Sequence, residues 1–253
     1  MDSLQIKILI PLIASHFLGD FILQTDEDVK RKNKSLTFVK HIFIITTLSY
    51  LALGLFNNYL IIVFILITHA VIDLIKVKVK TDNLWIFLID QSAHILILII
   101  ISLNVHFFVS ENAEIFWEIY FGKYYFLVLV LFTSFVIVTK FCGIVIGYII
   151  KPLQSKIFEV KSEEQNNSNI PQTGKLIGYL ERFIILVSVL MNVQAIIGFL
   201  ITAKSILRYA EIKSENDKLF VEYILIGTLF SFALGISLSY LTYKSIEALK
   251  IIL

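Results

Sequence analysis

The sequence predicts an all-α membrane protein, a polytopic bundle of about seven transmembrane helices. Hydrophobic residues make up 57% of the 253 positions, and charged residues make up only 17%. A soluble domain has about half apolar residues and about a quarter charged residues. The apolar residues are collected in runs of about 20, which is the length that a helix needs to cross the hydrocarbon core of a bilayer.

The apolar runs define seven predicted spans, separated by polar breaks. The spans are placed at residues 4–24, 38–56, 59–79, 84–109, 122–150, 175–207 and 219–243. This division predicts a five-span membrane domain, a polar cytoplasmic loop and a two-span C-terminal part, at residues 1–150, 151–174 and 175–253. The single cysteine, Cys142, excludes an intrachain disulfide.

The lysine and arginine residues are distributed unevenly between the loops on the two sides, and this asymmetry predicts the orientation. The loops on one side carry 14 of them, whereas the loops on the other side carry five. Because cytoplasmic loops are enriched in these residues, we expect the N-terminus outside and the C-terminus in the cytoplasm. The net charge is only +2 and the basic residues are dispersed, which argues against nucleic-acid binding.

Three histidine–aspartate pairs lie inside the predicted spans, each with the i, i+4 spacing of one helix face. The pairs are His16/Asp20, His69/Asp73 and Asp90/His94. An ionisable side chain at the centre of a membrane helix costs about 2.5–3.5 kcal/mol, so such residues are rare and mark functional sites. The third pair is reversed in sequence, but its helix also runs in the opposite direction. We therefore expect an aspartate layer toward the cytoplasm and a deeper histidine layer.

This combination of side chains is typical of a site for a divalent transition metal such as Zn, Mn or Fe. The expected ligands are His16, His69, His94, Asp20, Asp73 and Asp90, and the three aspartates are also the candidate catalytic groups. The six residues suit one ion, with carboxylates orienting the histidines, or two ions that share carboxylates. Two other interpretations stay open: an ion or proton-coupled transporter, and a structural subunit with hydrogen-bonded pairs.

Further polar residues accompany the pairs. Gln24, His41 and Gln91 are candidates for hydrogen bonds to the ligands, and positions at the membrane interface explain them equally well. Another set of charges inside the predicted spans, Lys140, Glu181 and Arg182, favours an ion pair between two spans over a phosphate-binding role of the arginine.

Four motifs in the first half of the chain resemble an uncharacterised family of bacterial membrane proteins, domain of unknown function 3307. They are HFLGDFILQTD (16–26), His41, THAVIDLIK (68–76) and FLIDQSAH (87–94). The resemblance covers roughly residues 10–105. It implies a multi-pass protein of the bacterial plasma (inner) membrane and implies no activity.

No H-E-x-x-H motif, nucleophile elbow or phosphate-binding loop is present in the sequence. A looser similarity links the intramembrane His/Asp motifs to a family of membrane-bound metal-dependent hydrolases. The function that we expect from the sequence is therefore a metal-dependent hydrolase that acts from the cytoplasmic side on a lipidic or membrane-associated substrate. The expected partner is the lipid bilayer, and the sequence does not predict an oligomeric state.

Overall fold

All secondary structure in the described part of the chain is helical, as the sequence predicts. The computed structural model describes residues 2–30, 34–79, 81–110, 113–158, 170–210 and 215–252. Its α-helices are α1 (Ser3–Leu18), α2 (Asp26–Lys30), α3 (Ser35–Leu53), α4 (Tyr59–Lys78), α5 (Leu84–Leu103), α6 (Phe116–Phe121), α7 (Lys123–Val136), α8 (Cys142–Phe158), α9 (Ile170–Leu190), α10 (Ala195–Ala210) and α11 (Glu215–Ile252). Two π-helical segments, Gly19–Leu23 and Ile137–Phe141, continue α1 and join α7 to α8, and a 3-10 turn, Val105–Phe107, follows α5.

Within the described residues, six helical segments are long and apolar enough to cross a membrane. They are Ser3–Leu23, Ser35–Leu53, Tyr59–Lys78, Leu84–Leu103, Lys123–Pro152 and Leu225–Ile251. These segments match the first five predicted spans and the last one. The chain is therefore that of a membrane protein, whereas the count of seven spans and the orientation stay predictions.

The predicted sixth span, residues 175–207, is two helices in the structure. α9 ends at Leu190, and α10 begins at Ala195. Between them Asn192 has φ 60°, a left-handed conformation that asparagine tolerates better than most residues. The Nζ atom of Lys204 on α10 lies 2.7 Å from the carboxylate of Glu181 on α9, so the two helices fold back on each other.

The chain forms two compact units. The first comprises Met1–Val136 with Ile246–Leu253, and the second comprises Ile137–Ser245. The three His–Asp pairs all belong to the first unit. Of the polar loop predicted at 151–174, residues 159–169 lie outside the described residues, and the flanking parts belong to α8 and α9.

Helix ends in the first unit are fixed by side-chain caps that the sequence provides. The Asp2 carboxylate accepts a hydrogen bond from the backbone N–H of Gln5, and the Gln5 side chain accepts one from the backbone N–H of Asp2. The hydrogen bond from the Gln5 backbone lowers the pKa of the Asp2 carboxyl below its ordinary value. Asn83 caps α5 in the same way through the N–H of Ile86. These caps set the positions at which α1 and α5 begin.

α1 is the central helix of the first unit, because α3, α5 and α7 all pack against it, and α4 packs against α3 and α5. Gly19 allows the contact between α1 and α3 to be close, since a Cβ atom at this position would collide with the side chain of Ile45. Buried apolar side chains such as Ile8, Leu12 and Ile101 form a core on one side of the His–Asp pairs. The packing thus surrounds the pairs with four helices.

In the second unit, Arg182 binds the π-helical segment Ile137–Phe141. The guanidinium donates hydrogen bonds to the carbonyl oxygens of Val138 and Thr139, at 2.7 and 3.0 Å, and to Ser231 Oγ, at 2.8 Å. Only 3% of the arginine is exposed. Because a π-helical turn disrupts the regular backbone ladder, its carbonyl groups need such external donors. Arg182 therefore stabilises the segment.

Replacing Arg182 with methionine should destabilise the second unit by about 2–4 kcal/mol, because buried carbonyl groups lose their donors. The measurement is thermal unfolding in detergent, followed with a dye that becomes fluorescent when it reacts with a thiol. Cys142 is the single cysteine of the chain and is buried, so the dye reports unfolding of this unit. Lys175→Met, at an exposed position of α9, serves as the control. Equal unfolding temperatures for Arg182→Met and the wild type would contradict the stabilising role.

Candidate metal centre

The three predicted pairs converge on one buried cluster in the first unit, and a fourth histidine, His41 of α3, joins them. We define the His/Asp cluster as His16, Asp20, His41, His69, Asp73, Asp90 and His94. The ring centres of His16, His69 and His94 lie 4.3–5.7 Å from one another. The ring centre of His41 lies 5.3 Å from that of His69. The structure thus brings together all six ligands expected from the sequence.

Local helix geometry positions two members of the cluster. Asp20 lies in the π-helical segment Gly19–Leu23, and such wide turns occur frequently at functional sites because they redirect a side chain. The close approach of α1 and α3 at Gly19 places His41 beside Asp20, with 3.4 Å between His41 Nε2 and Asp20 Oδ1. His41, for which the sequence left an interfacial position open, therefore lies inside the cluster and is only 3% exposed.

Three donor atoms form a nearly equilateral triangle, which we call the primary site. His41 Nε2 lies 3.2 Å from His69 Nε2 and 3.4 Å from Asp73 Oδ2, and His69 Nε2 lies 3.5 Å from Asp73 Oδ2. A tetrahedral ion with bonds of about 2.0–2.1 Å keeps its ligand atoms about 3.3–3.4 Å apart. The His41–His69 side is at hydrogen-bond distance, whereas the two sides that end at Asp73 are longer than usual hydrogen bonds between nitrogen and oxygen, which measure about 2.7–3.2 Å. The triangle therefore has the dimensions of one face of a metal site.

Two further sets of donor atoms adjoin the primary site. His16, Asp20 and His69 form one, and Asp73, Asp90 and His94 form the other, with the donor atoms of each set within 4.8 Å of one another. In the second set, His94 Nε2 lies 3.9 Å from Asp73 Oδ1, and His94 Nδ1 lies 3.8 Å from Asp90 Oδ1. Each set shares one residue with the primary site.

Gln91 connects the histidine and aspartate parts of the cluster. Its side-chain nitrogen donates to Asp20 Oδ2 and Asp90 Oδ2, both at 3.1 Å, so its oxygen faces His16 Nε2, at 3.2 Å. This arrangement puts the proton of His16 on Nε2 and leaves a lone pair on Nδ1. His94 Nδ1 donates to the carbonyl oxygen of Asp90, at 2.9 Å, which leaves a lone pair on Nε2. The hydrogen bonds thus hold these histidines in the tautomers that metal ligands need.

Several of these donor atoms are buried without a hydrogen-bond partner among the described residues. Within the cluster they include His16 Nδ1, Asp20 Oδ1, Asp90 Oδ1 and His94 Nε2. Buried polar atoms are nearly always paired, and leaving one unpaired costs about 1–3 kcal/mol. The side-chain nitrogen of Gln24, which follows the π-helical segment, is also unpaired in this part of the chain. The cluster therefore has the donor set that a cation would satisfy.

Lys76 adds a positive charge to the cluster that was not predicted from the sequence. From the sequence, the lysines after the third span were used only to predict the orientation. The Nζ atom of Lys76 lies 2.5 Å from Asp90 Oδ2, and its side chain is 32% exposed. The signals for it in the sequence are its i, i+3 spacing from Asp73 and the short connection between α4 and α5. With neutral histidines, three carboxylates and this ammonium group give the cluster a net charge of −2. One divalent cation balances that charge.

A small cavity, large enough for about one water molecule, lies against the histidines. His16, His69 and His94 contribute to its lining, together with Ser49, Thr68 and apolar side chains including Leu12 and Leu98. The cavity therefore gives a water molecule a place beside the donor atoms of the cluster.

The second set of predicted intramembrane charges belongs to the second unit, whereas the cluster belongs to the first. Glu181 pairs with Lys204, Arg182 binds backbone carbonyl groups, and the Nζ atom of Lys140 lies 5.2 Å from the ring centre of Tyr179. In the structure these residues stabilise helix contacts within the second unit.

The comparisons with known proteins give one match. Residues 8–122 match the model of a family described as protein of unknown function, DUF3307. The matched segment contains the whole His/Asp cluster, together with Lys76 and Gln91. None of the curated proteins and none of the solved structures matches the chain. Residues 8–122 are therefore similar to the DUF3307 family, as the motifs around the histidines and aspartates indicate.

Proposed function

We propose that the His/Asp cluster binds a divalent transition metal and that the protein is a metal-dependent hydrolase of the membrane. The triangle of His41 Nε2, His69 Nε2 and Asp73 Oδ2, with sides of 3.2–3.5 Å, carries the proposal. We assign the fourth position of the proposed site to Asp20, because its Oδ1 lies 3.4 Å from His41 Nε2. Imidazole and carboxylate ligands suit Zn, Mn or Fe.

The distances within the three pairs argue against a purely structural role. The i, i+4 contacts between histidine nitrogen and aspartate oxygen measure 3.8 Å in the first pair, 3.5 Å in the second and 3.8 Å in the third. These contacts are longer than hydrogen bonds. A structural pair would have its donor and acceptor at hydrogen-bond distance, because the unpaired groups are costly in a membrane interior.

The chemistry that a bound metal supplies is activation of water and polarisation of a carbonyl or phosphoryl group. The residues of the chain prepare that chemistry. Gln91 orients the carboxylates of Asp20 and Asp90, and the unpaired oxygen of either aspartate can accept a proton from water. The cavity beside the histidines has room for about one water molecule, which is the second reactant of a hydrolysis.

The apolar core beside the cluster favours a hydrolase over a transporter. Leu12, Ile65 and Leu98 lie one helical turn from the histidines, on the side away from the aspartates. Ile8 and Ile101 lie one turn further along the same helices. All five side chains are at most 7% exposed. We call this part of the core the apolar plug. A carrier needs a polar path on both sides of its site, whereas a hydrolase needs access from one side only.

The accessible side of the cluster is proposed to be cytoplasmic. Asp20, Asp73 and Asp90 lie within about 9 Å of the nearest end of their helices, counted at 1.5 Å per residue. Those ends adjoin the lysine-rich loops, which the positive-inside rule places in the cytoplasm. Basic residues at this surface attract anionic lipid headgroups. A lipidic or membrane-associated substrate with a polar group therefore fits the position of the site.

The fold-back of α9 on α10 changes the topology that we propose for the C-terminal part. Because residues 175–207 return to the side from which they start, the number of crossings is even and both termini lie outside. On this topology 15 of the 22 lysine and arginine residues are cytoplasmic, and three are outside, namely Lys123, Lys244 and Lys250. This distribution follows the positive-inside rule more closely than seven crossings do.

Purified protein should contain about one tightly bound transition-metal ion per chain by elemental analysis, since the primary site offers three to four ligands. His41→Ala and His69→Ala should lose the ion. His106→Ala is the matched control, because His106 is 46% exposed and pairs with Asp2 outside the cluster. A wild-type protein without metal, which Zn, Mn and Fe(II) all fail to reconstitute, would contradict a metal centre.

Reconstituted protein should release a water-soluble product from labelled bacterial lipid extract, and chelation of the metal should abolish the reaction. Asp20→Asn and His69→Ala should lower the rate by about 100-fold or more, because each removes a ligand or a proton acceptor. Metal-dependent flux of a tracer ion without any hydrolysis would instead support the transporter.

A reporter enzyme that is active only outside the cytoplasm should be active when it is fused after Leu253, because six crossings return the chain to the outer side. The control fusion, placed after Lys78 in the loop between α4 and α5, should be inactive. An inactive C-terminal fusion at normal expression would show an odd number of crossings and restore the cytoplasmic C-terminus predicted from the sequence.

A further inference from the structure

We propose that the cluster has a second ion site, formed by Asp73, Asp90 and His94. The ammonium of Lys76 competes with the ion at this site, and the ion binds together with an anionic, phosphate-like group. This inference rests on the proposed metal centre and extends it to the substrate class. The site is distinct from the primary site but shares the carboxylate of Asp73 with it.

The two oxygens of Asp73 point to different histidines. Asp73 Oδ2 lies 3.4 and 3.5 Å from His41 Nε2 and His69 Nε2, whereas Asp73 Oδ1 lies 3.9 Å from His94 Nε2. A carboxylate can donate one oxygen to each of two ions, and shared carboxylates join the ions of two-metal sites about 3.5–4 Å apart. The position of Asp73 is that of a bridging ligand.

The set formed by His16, Asp20 and His69 cannot be filled at the same time as the primary site. It uses His69, as the primary site does, and the neutral imidazole has a single lone pair. The set of Asp73, Asp90 and His94 overlaps the primary site only through a carboxylate. Ligand chemistry therefore selects this set for a second ion.

Two polar atoms of the selected set are buried and unpaired in the part of the chain that the structure describes. His94 Nε2 and Asp90 Oδ1 have no hydrogen-bond partner within the described ranges of the chain. His94 is 3% exposed and Asp90 is 6% exposed, so bulk water does not satisfy them. The hydrogen bond from His94 Nδ1 to the Asp90 carbonyl keeps the Nε2 lone pair directed at Asp73.

Charge determines when the second ion binds. The cluster with one divalent ion is neutral, because its own charge of −2 includes the ammonium of Lys76, 2.5 Å from Asp90 Oδ2. A second divalent ion raises the charge to +2 and faces the ammonium across the same carboxylate. Burying such a charge is unfavourable unless an anion enters with it. The dianion of a phosphate monoester or of inorganic phosphate restores neutrality.

Lys76 lies where an anion would enter. Its side chain is 32% exposed, whereas the Asp90 side chain that it contacts is 4% exposed. When the ammonium moves from Asp90 Oδ2 to an arriving phosphate, its repulsion of an ion at Asp90 Oδ1 decreases, and it pairs with the anion. Lys76 is thus a residue that links substrate charge to ion occupancy.

The experiment is a titration of purified, metal-depleted protein with Mn²⁺, with and without inorganic phosphate. Bound ions are counted, and electron paramagnetic resonance detects coupling between two neighbouring Mn²⁺ ions. The wild type should bind one ion without phosphate and two coupled ions with it. Lys76→Gln should bind two ions without phosphate, with a Kd for the second ion lower by about tenfold or more, because the repulsion is removed.

Lys78→Gln is the matched control, since Lys78 ends the same helix and is exposed; it should behave as the wild type. Asp90→Asn and His94→Gln should bind one ion under all conditions, and the binding of that ion at the primary site, with a Kd equal to that of the wild type, verifies that the first unit remains folded. If Lys76→Gln, and the wild type with phosphate, each bind only one ion per chain, the proposal of a second site is wrong, while the proposed metal centre is unaffected. Equal affinity for the second ion with and without phosphate would overturn the coupling, and no ion at all would refute the metal centre itself.

Discussion

The burial of negative charge within a membrane bundle is the constraint on which the first unit depends. Three carboxylates lie among apolar helices; the ammonium of Lys76 pairs with Asp90, and the side-chain amide of Gln91 donates to Asp20 and Asp90. An isolated buried carboxylate would be far too costly to retain, so its compensation must be part of the fold. The close packing of α1 on α3, the π-helical turn at Asp20 and the ion pair of Lys76 are all arranged around that requirement.

Much of this arrangement is predictable from sequence because periodicity and topology act together. The i, i+4 spacing assigns each pair to a helix face, and the reversal of Asp90 and His94 on an antiparallel helix brings like residues to one depth. His41 and Lys76 could not be assigned in this way. Each is a single residue near a helix end, so its partner depends on how neighbouring helices approach, and the sequence of its own helix does not encode that distance.

The second unit shows where hydropathy alone is insufficient. Residues 175–207 are apolar enough to be taken for one span, yet the turn at Asn192 divides them. Hydropathy measures the average cost of burial over a window, and a four-residue interruption with two polar side chains, Asn192 and Gln194, hardly changes that average. Glu181 and Lys204 are the better signal, because two opposite charges in one apolar run lower their cost by meeting, which requires the helix to fold back.

On the proposed topology, the apolar plug has an electrical consequence. A membrane potential falls across the layer of lowest dielectric constant, which in this unit is the half that contains Leu12, Ile65 and Leu98. The charges of the cluster lie on the other side of that layer and are reached through the end at which Lys76 is partly exposed. Moving an elementary charge through the whole field is worth about 2.3 kcal/mol per 100 mV, but an ion that approaches the cluster crosses little of it. We therefore expect ion occupancy of the proposed metal centre to depend on ion concentration and to be nearly independent of voltage.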